Sequence, residues 1–529
     1  MKNGLYYSSL LILLNGLSSF YSQDIQWQRS LGGLQGDYLF DALPTPDYGF
    51  ILAGSSVSEE SGNKISGSSG NPDYFLWKMD EQGHEEWQKS FGGDGLDFLY
   101  SINLTTDGGY ILGGSSSSGI SGIKKDSCRG QDDYWILKLN AAGNPEWQKT
   151  FGGVGSDKLL SIQQTSDFGY IVGGSSDSPQ SEDKTQDTKG SLDFWILKLD
   201  KNGNILWQTS LGGEYYDLLR SIKQTQDGGY ILAGYSNSLK TGDKSEDNIG
   251  EGDYWLVKLS KDGNLLWDKT LGGNKDDELT DMILAKDGGY LLVGSSNSDE
   301  GGIKTKPNGE GSDIWIIKTD EYGNIDWQQT VDVDQVDTAA KVIQNKRDSN
   351  YLIAGSTLTI NEQGESLSDY IAIRLDEKGN LLWKKKIGGD RRDLLQSAAE
   401  TREGNLILAG TSNSGRKADK TVETHGQTDF WVVKISGDER PDYQEERKWV
   451  EVYPNPTERF VNVIIQEELR GQEQIQVYDL SGKLLQQNPV KYRTTPIDLT
   501  GYAPGVYVFS ITLPTGKTQT VKIIKNGNE

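Results

Sequence analysis

The sequence contains very little cysteine, histidine or net positive charge. Of its 529 residues one is cysteine and two are histidine, so an internal disulfide is excluded and histidine-based catalysis has few candidates. With 77 acidic and 53 basic side chains the net charge is −24, which argues against nucleic acid or an anionic membrane surface as a partner. Only 34% of the residues are hydrophobic, yet 14 Trp, 25 Tyr and 12 Phe are too many for a disordered chain. Together with 65 glycines, this composition indicates many short strands joined by tight turns.

Long apolar runs are also missing, except at the start of the chain. Lys2 precedes the mostly apolar stretch Leu5–Leu17, which is too short to span a bilayer as a mature helix. This order is typical of a secretory signal peptide. We therefore predict that residues 1–22 are a signal recognised by the Sec export machinery. We expect the mature chain to have no transmembrane segment. We also expect it to be monomeric.

Tryptophan marks a repeat that runs through residues 23–436. It stands at positions 27, 87, 147, 207, 267, 327 and 383. A Gly-Gly pair follows it in every unit but the sixth, where Val331 and Asp332 stand. The unit of about 60 residues carries four strand signals separated by Asp-Gly or Asn-Gly turns, for example Leu218–Thr225, Tyr230–Ser236, Asp253–Leu259 and Leu265–Leu271. Four antiparallel strands in each of seven units are the pattern of a β-propeller.

The phase of the repeat predicts how such a ring closes. The segment around Trp27 is a fourth strand that comes before any first strand, whereas the last unit, Leu394–Ile435, lacks a fourth strand. If the Trp27 segment pairs with the last strand of the final unit, the open edges of both strands are covered. We therefore predict an all-β fold, a seven-bladed β-propeller closed by the N-terminal strand. An open solenoid is the alternative.

Side chains that recur in every unit are interpreted as scaffold. We expect the tryptophans of the third and fourth strands to pack between blades, including Trp135, Trp195, Trp255, Trp315 and Trp431. The aspartates before each inner strand are expected to accept backbone hydrogen bonds in a turn. They are Asp37, Asp97, Asp157, Asp217, Asp277, Asp337 and Asp393. A ring of carboxylates that binds a cation in the central channel is the alternative for this set.

Side chains that vary are the better candidates for function, and the long loops are expected on one face of the propeller. These loops are Ser55–Pro72, Ser115–Asp132, Ser175–Leu192, Ser236–Gly252, Ser295–Ser312, Ser356–Ser368 and Thr411–Thr428. The ligand-binding residues predicted on this face are Tyr215, Tyr216, Arg220, Lys275, Arg391 and Arg392, with Lys158 beside them. Tyrosine and arginine together suit a sugar ring that bears a carboxylate or sulfate. The loops are also rich in oxygen ligands for Ca²⁺, although their spacing fits no EF-hand; no other cofactor or metal site is predicted.

The texture of the sequence changes after Ser436. A charged linker, Gly437–Lys448, leads to strand signals at Val450–Tyr453, Phe460–Gln466, Ile475–Asp479, Gly505–Thr512 and Thr518–Ile524. The motifs VEVYPNPTERFVNV, VYDLSGKLL, IDLTGYAPGVYVFSI and VKIIK resemble the C-terminal sorting domain of type IX secretion substrates in Bacteroidetes. The residues that carry this resemblance are Tyr453, Pro454, Asn455, Pro456, Asp479, Gly482, Gly505 and Tyr507.

The resemblance implies that residues 449–529 are a small Ig-like β-sandwich recognised by an outer-membrane type IX translocon. It places the protein outside the cell or on its surface. The repeated units are likewise similar to those of secreted Bacteroidetes proteins. An unrelated Ig-like adhesive module is the alternative for these C-terminal residues.

Motifs typical of enzymes are scarce. The sequence has no G-x-S-x-G, H-E-x-x-H or P-loop motif, and we expect His84 on the face without long loops and His425 to be unpaired. The first hypothesis is therefore a binding or adhesion propeller with a glycan or protein ligand on the long-loop face. The alternative is a polysaccharide lyase or glycosidase with its site at the propeller mouth. A scaffold for other secreted proteins is a third hypothesis, and a broad apolar patch would mark it.

Overall fold

A computed structural model describes residues 23–527 except 69–70, 346, 361–362, 438–447, 458 and 468. The predicted signal peptide and most of the predicted linker lie outside the described residues. All regular structure in the described part is β, in 35 strands. No helix of suitable length and hydropathy for crossing a membrane is found there.

Twenty-eight of the strands form seven four-stranded antiparallel sheets. Sheet 1 contains β2 (Asp37–Pro44), β3 (Phe50–Ser56), β4 (Asp73–Met79) and β5 (Glu85–Phe91); sheet 2 contains β6 (Asp97–Leu104), β7 (Tyr110–Ser116), β8 (Asp133–Leu139) and β9 (Pro145–Phe151). Sheet 3 contains β10 (Asp157–Gln164), β11 (Tyr170–Ser176), β12 (Asp193–Leu199) and β13 (Ile205–Leu211); sheet 4 contains β14 (Asp217–Gln224), β15 (Tyr230–Ser236), β16 (Asp253–Leu259) and β17 (Leu265–Leu271). Sheet 5 contains β18 (Asp277–Leu284), β19 (Tyr290–Ser296), β20 (Asp313–Thr319) and β21 (Ile325–Val331); sheet 6 contains β22 (Val336–Gln344), β23 (Tyr351–Ile360), β24 (Ser366–Leu375) and β25 (Leu381–Ile387). Sheet 7 contains β26 (Asp393–Glu400), β27 (Leu406–Ser412), β28 (Asp429–Ile435) and β1 (Ile25–Leu31).

The N-terminal strand is the fourth strand of sheet 7. In the other six sheets the strands pair in chain order, but in sheet 7 the order is β26-β27-β28-β1. The pairing of β1 with β28 is antiparallel and runs from Ile25 opposite Ile435 to Leu31 opposite Phe430. The outer edge of β28 is therefore covered by a strand from the other end of the repeat region.

Neighbouring sheets pack through aromatic side chains of their third strands. The ring of Tyr74 in sheet 1 lies 4.6 Å from that of Trp135 in sheet 2, and its hydroxyl donates to the Trp135 carbonyl at 2.9 Å. Phe430 of sheet 7 meets Phe75 of sheet 1 with ring centroids 5.5 Å apart. The third-strand tryptophans Trp135, Trp195, Trp255, Trp315 and Trp431 are fully buried, which confirms their packing role.

Six of the seven fourth-strand tryptophans pack on a glycine of the next sheet. Gly263 has a φ of +82°, and a Cβ atom there would lie 2.7 Å from the ring of Trp207. Trp27 of sheet 7 covers Gly83 of sheet 1 in the same way, and its indole donates to the Glu81 carbonyl at 3.1 Å. Glycine is needed at this turn both for the positive φ and for the close approach of the ring.

Two kinds of connection share one face of the sheets. Leu192, at the end of a long loop, forms a bridge with Tyr216, which lies between sheets 3 and 4, and its carbonyl accepts the Asp217 amide at 2.7 Å. Equivalent bridges join Gly252 to Asp276 and Ser368 to Arg392. We call this side the long-loop face, and the side with the short turns between first and second strands and between third and fourth strands the short-turn face.

The prediction of a long loop at Ser356–Ser368 is wrong. β23 extends to Ile360 and β24 begins at Ser366, and the two strands pair from Ser356 opposite Tyr370 to Ile360 opposite Ser366. The segment from Thr357 to Ile360 is rich in β-branched residues, which favour a strand. Sheet 6 therefore has a hairpin where the other sheets have a long loop.

The remaining strands form a separate pair of sheets. One contains β29 (Val450–Tyr453), β30 (Phe460–Ile465) and β33 (Thr494–Asp498); the other contains β31 (Gln474–Tyr478), β32 (Leu484–Pro489), β34 (Gly505–Thr512) and β35 (Thr518–Lys525). Their shared core includes Val463, Ile497, Val477 and Phe509, so the two sheets form a small β-sandwich. Strands β32 and β33 were not among the five predicted.

The sandwich contacts the short-turn face of sheets 1 and 2. Thr494 Oγ1 donates to Asp47 Oδ2 at 2.7 Å, and Asn462 Nδ2 donates to the Asp107 carbonyl at 2.5 Å. Asp47 and Asp107 both belong to turns between first and second strands. The C-terminal sandwich therefore occupies the face opposite the long loops.

Candidate functional site

A buried lysine anchors each long loop. Lys184 Nζ donates to the Ser178 carbonyl at 2.6 Å, and Lys244 Nζ lies 5.4 Å from the ring centroid of Trp255. Burial lowers the pKa of Lys184 and Lys244. The equivalent lysines are Lys64, Lys124, Lys184, Lys244, Lys304 and Lys420. Sequence reasoning missed this role, although one lysine recurs in phase in six of the seven loops.

The repeated aspartates before each first strand act as predicted. Asp217 Oδ2 accepts hydrogen bonds from the Gly213 amide at 2.7 Å and from Ser238 Oγ at 3.0 Å. Asp37 accepts the Gly33 amide in the same way at 2.7 Å. All seven are fully buried, and none of them lines the central cavity described next.

A cavity of about 380 Å³ lies between the first strands of all seven sheets. Each first strand contains a β-bulge, after the fourth residue in β22 and after the third residue in the other six, and the bulged residue lines this central cavity. The bulged residues are Phe40, Tyr100, Leu160, Arg220, Thr280, Ala340 and Gln396. Bulges redirect side chains and are common next to functional sites. The scaffold thus presents seven different side chains at one repeated position.

The residues that follow the bulge join one sheet to the next. Ser221 Oγ donates to the Met282 carbonyl of the next sheet at 3.3 Å. Ser397 of sheet 7 donates to Asp41 Oδ1 of sheet 1 at 2.9 Å and to the Ala42 carbonyl at 3.4 Å. Sheet 7 therefore contacts sheet 1 through the same position that joins sheets 4 and 5.

Charged groups of both signs line the cavity. Lys341 Nζ lies 3.3 Å from Asp41 Oδ1, and Asp281 Oδ2 accepts the Val342 amide at 3.1 Å. Burial alone would lower the pKa of Lys341, but the Asp41 and Asp281 carboxylates raise it above its ordinary value. Burial lowers the pKa of Lys223 in the same cavity.

An aromatic cluster forms the wall of the cavity at sheets 1 and 2. The rings of Phe40 and Tyr100 meet edge to face at 5.1 Å, and Phe98 stacks on Tyr100 at 6.3 Å. On the wall formed by sheets 4 and 5, Arg220 Nη2 pairs with Glu278 Oε1 at 2.5 Å. Sequence reasoning missed this aromatic cluster. Its signal was present, because the first strands DYLFDAL and DFLYSIN carry aromatic residues at two positions where the other five repeats have none.

The structure places the predicted ligand residues on separate connections of the long-loop face. Tyr215 and Tyr216 lie between sheets 3 and 4 and are 46% and 48% exposed. Lys275 lies between sheets 4 and 5, where its Nζ is 2.8 Å from Asp299 Oδ2. Arg391 and Arg392 lie between sheets 6 and 7, and Lys158 is the second residue of β10. Only Arg220 lines the central cavity. A ligand role for the set stays a prediction.

Neither histidine lines the central cavity. His84 Nδ1 lies 3.1 Å from Asp80 Oδ2 in a turn of the short-turn face, as expected. The expectation that His425 is unpaired is wrong, since its Nδ1 lies 2.9 Å from the buried Asp429 Oδ2 and its amide donates to the same oxygen. Asp429 thereby holds His425 against its own loop.

The residues that carried the C-terminal resemblance hold the sandwich together. Asn455 Oδ1 accepts the Ile524 amide and its Nδ2 donates to the Lys522 carbonyl, both at 2.9 Å, which ties the segment Tyr453–Pro456 to β35. Asp479 Oδ1 accepts the amides of Ser481 and Lys483 in the turn that contains Gly482, whose φ is +84°. The Tyr507 hydroxyl donates to the Ala503 carbonyl at 2.5 Å, next to the start of β34 at Gly505.

Residues 451–526 match the family described as the secretion system C-terminal sorting domain. The match confirms the resemblance found in the sequence. The protein is therefore secreted to the cell surface or the extracellular space, and its C-terminal domain implies an interaction with the type IX secretion system.

Part of the chain is similar to a known bacterial protein. The regulatory protein FlaEY of Caulobacter vibrioides is 23% identical over 207 residues, which are 37% of this chain and 22% of FlaEY. The chain thus spans about a fifth of that relative's length.

Two solved structures illustrate the level of structural similarity. A fungal alcohol oxidase of the AA5 family in complex with copper aligns over 95% of this chain and 99% of its own with a TM-score of 0.43 and 12% identity. PorZ, a surface component of the type IX secretion system of Porphyromonas gingivalis, aligns over 92% and 81% with a TM-score of 0.21 and 10% identity. Scores this low carry no inference about function.

Proposed function

We propose that the seven sheets close into a seven-bladed β-propeller, and that this propeller is a secreted or surface-displayed binding module for a glycan. Closure is supported by the pairing of the N-terminal strand β1 with β28 within sheet 7. Two contacts between sheet 7 and sheet 1 also support it: Ser397 with Ala42, and Phe430 with Phe75. The central cavity, which all seven first strands line, supports it further. In a closed ring the first and last sheets of the repeat region pack on each other, so neither has an uncovered face.

The observation that carries the binding function is the bulged position of the first strands. The scaffold residues around it recur in nearly every unit, but the bulged residue differs in all seven and always lines the cavity. A rigid frame that varies at one inward position is the arrangement expected of a recognition site, since the frame fixes the geometry and the variable side chains select the ligand.

The chemistry of this position suits a sugar. Aromatic faces such as those of Phe40 and Tyr100 pack on the apolar face of a sugar ring, and the Arg220 guanidinium pairs with a carboxylate or sulfate. Thr280 and Gln396 add neutral hydrogen-bonding groups to the same cavity. Tyr215 and Tyr216, exposed on the surrounding face, extend the surface on which a longer glycan can lie.

A polysaccharide-degrading enzyme is the second candidate, because two carboxylates face the same cavity. Asp41 and Asp281 both line it, and hydrolysis of a glycosidic bond commonly uses a pair of carboxyl groups. Asp41 is engaged by Lys341 and Ser397 at 3.3 and 2.9 Å, and these contacts favour a structural role for it.

Affinity electrophoresis tests the two candidates together. The chain from residue 23 onward is run through native gels cast with neutral and acidic polysaccharides and stained afterwards for polymer. Retardation in an intact polymer is the expected result. A cleared zone around the band would establish the enzyme instead. Migration unchanged in every gel would contradict glycan binding and would direct the search to a protein ligand.

A further inference from the structure

The junction between sheets 5 and 6 differs from the other six junctions. In those six, the residue after the fourth strand is a glycine that lies against the aspartate at the start of a third strand. At Gly212, for example, a Cβ atom would be 2.4 Å from Asp193 Oδ1 and 2.9 Å from Asp217 Oδ2. The equivalent glycines are Gly32, Gly92, Gly152, Gly212, Gly272 and Gly388. Asp332 stands at this place between sheets 5 and 6, so a third carboxylate joins the buried pair Asp313 and Asp337.

The three carboxylates converge on one point. Asp313, Asp332 and Asp337 each contribute an oxygen, and all three oxygens lie within 4.8 Å of one another. Asp313 and Asp337 are fully buried and Asp332 is exposed, so the point can be reached from solvent. Backbone amides already hold both buried residues: Asp313 Oδ2 accepts the Gly309 amide at 2.7 Å, and Asp337 Oδ2 accepts the Val333 amide at 2.6 Å. The Asp334 amide is shared between the two Asp337 oxygens at 3.2 and 3.3 Å.

The second oxygen of Asp313 has no hydrogen-bond partner although it is buried, as is also the case for the equivalent oxygens of Asp193, Asp253 and Asp429. In the other junctions the equivalent Oδ1 points at the glycine. It would lie 1.8 Å from a Cβ atom at Gly272 and 1.7 Å from one at Gly388. By the symmetry of the repeat, the free oxygen of Asp313 is directed at the position of Asp332. A buried carboxylate oxygen without a partner is costly unless a donor or a cation satisfies it.

Positive charge is also reduced at this junction. In the other sheets the first-strand aspartate has a loop lysine and a serine hydroxyl beside it, as Asp217 has Lys244 and Ser238. Sheet 6 has the short hairpin instead, and its segment from Thr357 to Ser368 contains no lysine. Thr359 stands at the place of Ser238, and the Thr357 hydroxyl lies beside Asp337. The cations that remain are Lys304, which faces Asp313, and Lys384, whose Nζ donates to the Asp332 carbonyl at 3.0 Å.

We propose that Asp313, Asp332 and Asp337 bind one calcium ion that joins sheet 5 to sheet 6. An oxygen that binds Ca²⁺ lies about 2.3–2.6 Å from the ion, so two such oxygens are at most about 5 Å apart. The distances between the three carboxylate oxygens are all within this limit. The ligands are exclusively hard oxygens, and water completes the shell on the side of the exposed Asp332. The ion replaces the positive charge that the loop lysine supplies in the other sheets. Calcium sites of extracellular modules typically have dissociation constants of about 10⁻⁴–10⁻³ M.

Isothermal titration calorimetry with CaCl₂ tests this site on the chain from residue 23 onward, after treatment with EDTA and dialysis. We expect one saturable site per chain with a dissociation constant in that range. Asp332→Gly restores the glycine of the six other junctions, so it should fold like the parent and weaken binding at least about tenfold. Asp334→Asn removes a neighbouring charge but keeps the backbone amide that donates to Asp337, so it should change the affinity less than about threefold.

The outcomes that overturn the site are distinct. Absence of saturable binding by the parent would contradict it, and so would binding retained by Asp332→Gly or lost equally in Asp334→Asn. The melting temperature supplies a second measurement. Added CaCl₂ should raise that of the parent and leave that of Asp332→Gly unchanged, whereas an equal rise in both would place the ion elsewhere.

Discussion

Replacing one glutamine of the N-terminal strand tests whether that strand completes the ring. Gln28 Oε1 accepts the Trp431 indole at 3.1 Å and the Thr421 amide at 3.0 Å, and its Nε2 donates to the Asp419 carbonyl at 2.8 Å. In sheet 3, Gln208 makes the same three hydrogen bonds, to Trp195 at 3.1 Å, to the Thr185 amide at 3.1 Å and to the Asp183 carbonyl at 2.8 Å. Gln208→Ala is therefore a matched control within the same chain.

The expected cost follows from the groups that lose their partners. Gln28→Ala leaves the buried Trp431 indole and the half-buried Thr421 amide without an acceptor. Each buried donor left unsatisfied costs about 1–3 kcal/mol, so we expect the free energy of unfolding to fall by about 2–4 kcal/mol. Gln208→Ala should cost a similar amount, because it breaks the same three hydrogen bonds.

Urea unfolding followed by tryptophan fluorescence measures both variants against the parent. We expect both midpoints to fall by a similar amount with an unchanged slope, since a change in midpoint alone reports a change in stability. A midpoint lowered by Gln208→Ala and unaffected by Gln28→Ala would refute the reasoning. It would show that β1 does not pair with β28 in solution.

Three further predictions concern export, pH and the long loops. Deletion of residues 450–529 should leave a folded protein in the periplasm, and normal export of the truncated chain in a cell fractionation would contradict the sorting role. Burial and the neighbouring Asp217 carboxylate raise the pKa of Asp193 to about 6, above its unfolded value of about 3.9, so the native state holds this proton more tightly. The free energy of unfolding should therefore fall as the pH rises from about 4 through 6, and Asp193→Asn should flatten that slope in urea midpoints; an unaltered slope would disprove the assignment. Lys184→Met removes the anchor of its loop and should make limited proteolysis begin within residues 177–192, whereas a cleavage pattern like the parent's would exclude the anchoring role.

Local signals made most of the repeat fold predictable. Tyr230–Ser236 and Asp253–Leu259 were predicted with the bounds that the structure has, because an Asp-Gly turn or a long polar loop marks each end. The position of Trp27 within the repeat likewise indicated the pairing of β1 with β28. These features depend on residues close in sequence or on a repeat that is read directly from the chain.

The cavity wall could not be predicted in the same way. Which side chain of a first strand faces the cavity depends on the bulge, and a bulge is defined by pairing with the next strand rather than by the strand itself. Arg220 was therefore selected for its residue type, while Phe40 and Tyr100 at the same position in other repeats were missed. The hairpin of sheet 6 was missed because its polar residues resemble those of the long loops.

The most direct test of the central claim compares three variants in a polysaccharide gel that retards the parent. Phe40→Ala and Tyr100→Ala each remove one ring of the aromatic cluster, while Tyr322→Ala removes a ring that is 63% exposed in a turn of the short-turn face. We expect the first two variants to lose most of the retardation and Tyr322→Ala to migrate like the parent. Equal retardation of all four proteins would show that the mouth of the central cavity is not where the glycan binds.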